Sequence, residues 1–512
     1  MLIHVFGAKC IGIDAVRVTV EVDIDRGIGI HLCGLADVAV KESLLRTITA
    51  LTSLDYRIPG KKIVINLAPG DLRKSGSGYD LPIAVGIVAA SGQRELPRLG
   101  RYLMMGELGL DASLRDIPGA LPIAELAVQE GFDGCILPRR SALEAVELEG
   151  TEVYGVERFE DVIRILEGEE DCTDLLVRNS DIPVRPAAEA APVDFADIIG
   201  QDSAKRGVEI AAAGGHNVAM IWPPGSGKSS LAKAMAGILP PMTQGEALQT
   251  SKIYSIAGKG DLRYGLVRSR PFRSPHYSAS MPAVIGGGTD QILPGEISLA
   301  HNGILFLDEL GQMPKALIEA LRGPMEDREV VISRLKNKVR YPASFMLVAA
   351  SNPCPCGYYG EGDRCTCTVG QRTRYLSRLS GPVMDRIDIQ LWVRPVQSAQ
   401  LGMIGRVEPS AAVAERVRRA RTLQQERFAS EAIRCNAEMD NRLVERFCPL
   451  DGPCREVLGK MMDRQGLSMR AYYRIIKVAR TIADLAGAGN IQSEHLLEAA
   501  SFRFLDRRET WE

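Results

Sequence analysis

The sequence predicts an α/β chain in three parts: a compact α/β domain, a core on a parallel sheet, and a helical C-terminal unit. Three observations carry this. Continuous apolar runs that empty into polar turns recur at 218–222, 303–307 and 344–350, as expected of parallel strands buried on both faces. Residues 1 to about 168 alternate short β-rich runs with helical stretches. From 411 to about 504 the apolar period is helical and Ala, Glu and Arg are abundant.

A chain of 512 residues has room for about three domains, each burying its own core. The formal net charge of −2 excludes a global polycation, so any nucleic-acid contact must come from local patches. No apolar run reaches the roughly 18 residues of a membrane span, and Met1-Leu2-Ile3-His4-Val5 lacks a basic lead-in, which predicts a soluble, cytoplasmic protein. Eleven cysteines, four of them between 354 and 367, suit reduced thiols and one metal site rather than a disulfide framework.

In chain order, the first domain (1–168) carries β-rich runs at 16–22 and 62–67 and helical stretches near 37–52, 81–92, 119–131 and 141–147. Arg73 and Lys74 are basic residues on one of its loops, suited to DNA or simply to solvent. A linker is expected at 169–193, extended and mobile, because an acidic stretch gives way to Pro- and Ala-rich sequence without apolar period.

The core (194–396) opens with a helix ending near Ala213, then a strand running into Trp222-Pro223-Pro224-Gly225-Ser226-Gly227-Lys228-Ser229-Ser230. This is a phosphate-binding loop: backbone N–H groups converge on the phosphates, Lys228 reaches the β- and γ-phosphates of ATP, and Ser229 holds Mg²⁺. The first glycine of the pattern is replaced by Trp222, whose bulk at the strand exit predicts weakened nucleotide binding. About 80 residues on, a second apolar strand delivers Asp308 and Glu309. Asp308 would complete the Mg²⁺ shell and Glu309 would polarise the attacking water. Asn352, at the exit of the third strand, is placed to orient that water.

Between the first two strands lies a long insertion, where Arg270 and Arg273, with Arg263 and Arg268, interleave with Tyr264 and Phe272. The set suits phosphates and base faces, or an interdomain ion-pair surface. Residues 330–342 predict a β-hairpin with a basic tip, whose Lys336 and Lys338 would grip a phosphate backbone in the pore of a ring or merely protect an edge. In the loop 353–370, Cys354, Cys356, Cys365 and Cys367 supply four thiolates, enough for one structural, tetrahedral Zn²⁺ site. Arg386, and after it Arg378, is the candidate for an arginine placed on a neighbouring subunit's γ-phosphate, the alternative being an internal salt bridge. In the helical unit (397–512), Ser468 is a plausible N-cap and Arg470 in the first turn is expected to reach back onto the nucleotide as the lid closes.

Together these stretches resemble the ComM/YifB family of magnesium-chelatase-like AAA+ ATPases over nearly the whole chain. The resemblance rests on residues 34–43 and 66–82, Arg270-Pro271-Phe272-Arg273-Ser274-Pro275-His276, residues 294–303, Asn352-Pro353-Cys354-Pro355-Cys356-Gly357, and Arg470-Ala471-Tyr472. It implies an N-terminal Lon-like, S5-like α/β domain, an AAA+ P-loop NTPase core and a C-terminal helical lid. The loop 78–82 and Pro122 stand where Lon-like enzymes keep a serine and a lysine, which argues against proteolysis. The family resemblance further implies hexameric rings that hydrolyse ATP and move along DNA, promoting branch migration during natural transformation. It suggests Arg386 as the trans-acting arginine and Arg470 as sensor 2. Tyr277 stands where the family commonly has a second histidine. The competing readings are a metal-chelatase ATPase subunit, and a nucleotide-gated scaffold in which Trp222 has impaired turnover.

Overall fold

The computed structural model describes residues 2–168, 172–184, 193–223, 227–288, 291–333, 338–359, 364–379, 383–393 and 408–504. Its first part is a seven-stranded mixed sheet in the order Gly29–Cys33, Lys62–Ala68, Asp14–Asp25, Ile3–Ile11, Tyr102–Met104, Gly134–Pro138, Glu152–Val156. The strand Lys62–Ala68 buries every second side chain, Ile63, Ile65 and Leu67, as a half-covered strand should. The helix Asp80–Ala90 has no polar face and is buried along most of its length.

The stretch expected to begin the linker at 169 departs from that expectation. Among its described residues, Leu175 accepts from Gly155 N at 2.8 Å and Val177 donates to Val153 O at 2.9 Å, so this segment adds to the strand Glu152–Val156. The cause is local: Cys172 and Val177 are apolar side chains that the edge of the sheet can bury.

The core is a five-stranded sheet in the order Phe272–Arg273, Ile304–Leu307, Met346–Ser351, Val218–Ile221, Ile389–Trp392, every neighbouring pair parallel. Val218 stands opposite Val348 on one side and Ile389 on the other, so all C-terminal strand ends fall on one edge. Alternate residues of Val218–Ile221 feed two apolar clusters: Val218 and Met220 one, Ala219 and Ile221 the other. The predicted hairpin forms, Glu329–Ser333 against Lys338–Pro342.

The helical C-terminal part is fastened to the core rather than hung from it. Its first helix, Ser410–Arg427, lies on the core helix Asp202–Gly214, with Arg416 on Glu209 at 2.6 Å and Gln424 donating to Ala213 O at 3.0 Å. Ser468 caps the helix Met469–Leu485 by accepting from Ala471 N, as its position predicts. Between the first sheet and the core runs the helix Gln244–Ala257, opened by a capping box of Thr243 and Glu246. Its Lys252 reaches across to Asp14 at 2.8 Å and Glu125 at 2.6 Å, while its Ser255 donates to Glu144.

Candidate active site

The parallel strands bring the predicted site together at their shared C-terminal edge. Ile221 leads to the phosphate loop, Leu307 to Asp308 and Glu309, and Ser351 to Asn352. Of the loop, Pro224, Gly225 and Ser226 lie outside the described residues. Gly227 takes φ +90°, a conformation that suits glycine, and caps the helix Lys228–Ile238, whose first turn carries exposed Ser229 and half-buried Ser230. Lys228 Nζ donates directly to Asn352 Oδ1. Burial lowers the Lys228 pKa from its ordinary value, against the opposing pull of Asp308 and Glu309, so the four residues share one electrostatic site.

Glu309 has φ +53°, a left-handed conformation uncommon for glutamate, and its N–H donates to Asp308 Oδ1 at 2.9 Å. The chain therefore turns sharply between the two carboxylates. The arrangement offers a cation for phosphates, a carboxylate for Mg²⁺, a second carboxylate and an amide for a water.

Trp222, expected to crowd the strand exit, turns into the core. It is fully buried and continues the face of Val218 and Met220, packing in the cluster shared with Leu231, Met235 and Val417. Its backbone N–H donates to Ser351 O at 2.9 Å, and it is not among the residues with positive φ. The indole therefore packs into the core on the face of Val218 and Met220.

The four cysteine sulfurs lie within 4.8 Å of one another. Cys365 is 3.8 Å from Cys354 and 3.7 Å from Cys356, against an edge of about 3.8 Å expected for four sulfurs around one tetrahedral zinc. Burial pushes the Cys354 thiol up to about 12, while the Tyr358 N–H helps bring Cys356 down to about 6. The donor set fits a divalent thiophilic ion, which would tie the exit of the strand Met346–Ser351 to the helix Val369–Leu379.

The arginines are placed differently from one another. Arg386 is buried and paired with Glu326; Arg470 is exposed and 3.4 Å from Asp385. Arg386 lies at the N-terminal ends of the strands Val218–Ile221 and Ile389–Trp392, where its O accepts from Asn217, and Arg470 lines one cavity with Arg386 and with Arg474, which holds Asp388 at 2.5 Å. Arg470 is therefore not brought to its own chain's Lys228, contrary to the expected reach-back, since its helix runs behind the sheet against Asp202–Gly214. The side chain of Arg378 lies outside the described residues.

The basic patches also resolve. Arg270 pairs with Glu246 at 3.1 Å and donates to Pro240 O and Asn302 O; Arg273 pairs with Glu296 at 2.6 Å. Both serve intramolecular contacts, the ion-pair alternative of the two readings rather than the DNA-facing one. Lys74 is fully buried and donates to Pro69 O, which withdraws it from the surface. Lys338 is exposed at the start of its strand, and Lys336 lies outside the described residues. Asp80, within the loop 78–82 where a Lon-like nucleophile would be sought, is buried on Arg46 at 2.9 Å.

The sequence reading passed over Tyr375. Its hydroxyl is 3.2 Å from Ser351 Oγ, beside Asn352, and a tyrosine in an Arg-rich helix carries no signal of that contact.

Three family matches cover most of the chain: residues 20–141 match the family described as subunit ChlI of Mg-chelatase, 194–401 magnesium chelatase subunit ChlI, and 407–503 its C-terminal region. Among individual proteins, the chain is 42% identical over 508 residues to the competence protein ComM of Haemophilus influenzae, covering 98% of this chain and 97% of that one. It is 41% identical to YifB of Escherichia coli, covering 97% and 96%. The magnesium-chelatase 67 kDa subunit of Chlorobaculum tepidum is 28% identical over 164 residues, 31% of this chain and 23% of that protein.

Proposed function

This chain belongs to the ComM/YifB family of magnesium-chelatase-like AAA+ proteins, and on that premise we propose that it is a ring-forming, ATP-hydrolysing DNA motor that drives branch migration in recombination and natural transformation. The convergence of Lys228, Asp308, Glu309 and Asn352 on one edge of the parallel sheet carries the reading. When bound, Mg²⁺ would be held by Ser229 and Asp308 and would neutralise charge developing between the β- and γ-phosphates. Lys228 would exchange Asn352 for phosphate oxygen, freeing the amide to orient water against Glu309. The cytoplasm is the natural compartment for such a motor, and no described helix is long and apolar enough to cross a membrane.

DNA enters this reading through kinship with a competence protein and through the hairpin, where Lys338 offers an exposed cation beside the turn. A chelatase role has less support, since kinship with the 67 kDa subunit spans under a third of the chain.

The test is steady-state ATP hydrolysis with and without branched DNA, alongside unwinding of a labelled junction. Turnover rising with DNA, falling by at least about a hundredfold in Glu309→Gln with ATP still bound, supports the motor. Lys228→Ala is expected to lose binding as well. Turnover indifferent to DNA, with no junction resolved, would sink the motor and leave a plain ATPase.

A further inference from the structure

We infer that Tyr375 is a positioning residue through which the four-cysteine loop sets the geometry of the hydrolysis site, so that metal occupancy governs turnover rather than nucleotide binding. The inference rests on the ATPase reading above and adds a route of control to it.

The route is a closed circuit of short steps. Asn352 is two residues before Cys354, and Cys367 is two residues before the helix Val369–Leu379. Thr368 caps that helix by exchanging hydrogen bonds with Gln371, at 2.9 and 3.3 Å. Arg372, on its first turn, lies over the Tyr359 ring at 4.4 Å, and Tyr359 meets Trp392 edge-on. The cysteine loop thus fixes where the helix starts and how it is rotated.

One turn further, Tyr375 returns to the site. Its hydroxyl meets Ser351 Oγ at 3.2 Å and is reached by the Asn352 N–H. Its ring lies on Gly311, where an added Cβ would stand 2.9 Å from both the ring carbon and the phenolic oxygen. Gly311 is in the turn Leu310–Gln312 that follows Glu309, so one side chain braces both the amide's strand exit and the glutamate's left-handed turn. Burial raises the Tyr375 pKa, which keeps the hydroxyl neutral and able to donate. Tyr375 touches Ser351, Asn352 and Gly311 directly and reaches Lys228 only through Asn352. Loosening it displaces Asn352 and Glu309, which act on the water, more than the groups that hold ATP.

The test uses the full chain. Tyr375→Phe is expected to lower kcat about tenfold with KM for ATP within about twofold and bound metal unchanged. Gly311→Ala, which displaces the ring, is expected to act in the same direction. Stripping metal with a thiol-competent chelator lowers wild-type kcat, and Zn²⁺ restores it. Tyr375→Ala has low turnover whether or not Zn²⁺ is present. Amide exchange over 309–313 and 346–352 gives a readout independent of hydrolysis: it rises on metal removal in the wild type and is already high and insensitive to metal in Tyr375→Ala. A Tyr375→Phe enzyme with wild-type kcat, or exchange at those segments that ignores both metal and Tyr375, overturns the inference. Exchange behaving as stated in a wild type that hydrolyses no ATP would instead overturn the ATPase reading and leave the brace standing.

Discussion

Trp222 illustrates how a motif and a strand give different answers about one residue. The motif compares residue types, and by that measure a tryptophan in place of the first glycine threatens the phosphates. Strand parity places it differently: Val218, Met220 and Trp222 share one face, and that face looks into the core. Trp222→Phe is therefore expected to leave KM for ATP within about twofold, while Trp222→Gly costs on the order of 3–5 kcal/mol of stability by emptying that volume. Thermal unfolding beside ATPase kinetics checks both; a lowered KM in Trp222→Gly with an unchanged melting temperature would mean that the indole obstructs the loop after all. The same comparison explains what was legible. Lys228, Asp308, Glu309 and Asn352 sit where buried apolar strands run out, a pattern visible along the chain. The engagements of Arg270 and Arg273 were not, because their carboxylates, Glu246 and Glu296, are 24 and 23 residues away and only the fold brings them together.

At the scale of elements, the helix Gln244–Ala257 is the seam between the first sheet and the core. Lys252 is buried yet stays cationic: burial works against it, and Asp14 and Glu125 more than compensate. Glu144 has the opposite balance. Burial pushes its carboxyl up to about 7; Ser255 and the Leu121 N–H pull it down, and Asp116 adds to the rise. A carboxyl raised in the folded state favours folding fully below its unfolded value of 4.5, and that contribution is lost as pH rises through about 7. The loss amounts to on the order of 3 kcal/mol. The wild type should thus melt lower at pH 8 than at pH 5.5 by a margin that Glu144→Gln largely removes. Equal pH dependence in the two proteins would place the titrating group elsewhere. None of this was visible in sequence, since a glutamate flanked by Leu143 and Ala145 reads as an ordinary helix surface until another element closes over it. The four-cysteine loop is the converse case: its thiols lie within fourteen residues, so proximity along the chain already implied proximity in space.

At the scale of the molecule, the decisive fact is that the site and two of its candidate arginines, Arg386 and Arg470, occupy opposite ends of the same sheet. Lys228 and Glu309 follow the C-terminal strand ends, whereas buried Arg386 and exposed Arg470 cluster with Asp388 and Asn217 at the N-terminal ends, about 13 Å of strand away. A parallel sheet cannot fold one edge onto the other, so these arginines complete a nucleotide site only if a second copy presents its C-terminal edge to them. Head-to-tail contact of that kind closes into a ring when its rotation permits, which is the assembly proposed above. Arg386 would first have to release Glu326, while Arg470, already exposed, is the readier of the two. The arrangement predicts complementation between two inactive proteins. Arg470→Ala keeps its own Glu309 but offers no arginine, and Glu309→Gln offers the arginine but cannot hydrolyse. Mixed in equal amounts under conditions that exchange subunits, they should recover turnover at about a quarter of the sites, those where an Arg470→Ala subunit is served by a Glu309→Gln neighbour. Recovery scaling with the product of the two fractions would locate Arg470 in trans. A mixture no more active than its parts, in rings demonstrated to be mixed, would mean that Arg470 acts within its own chain and that the helix Met469–Leu485 must swing around the sheet during the cycle.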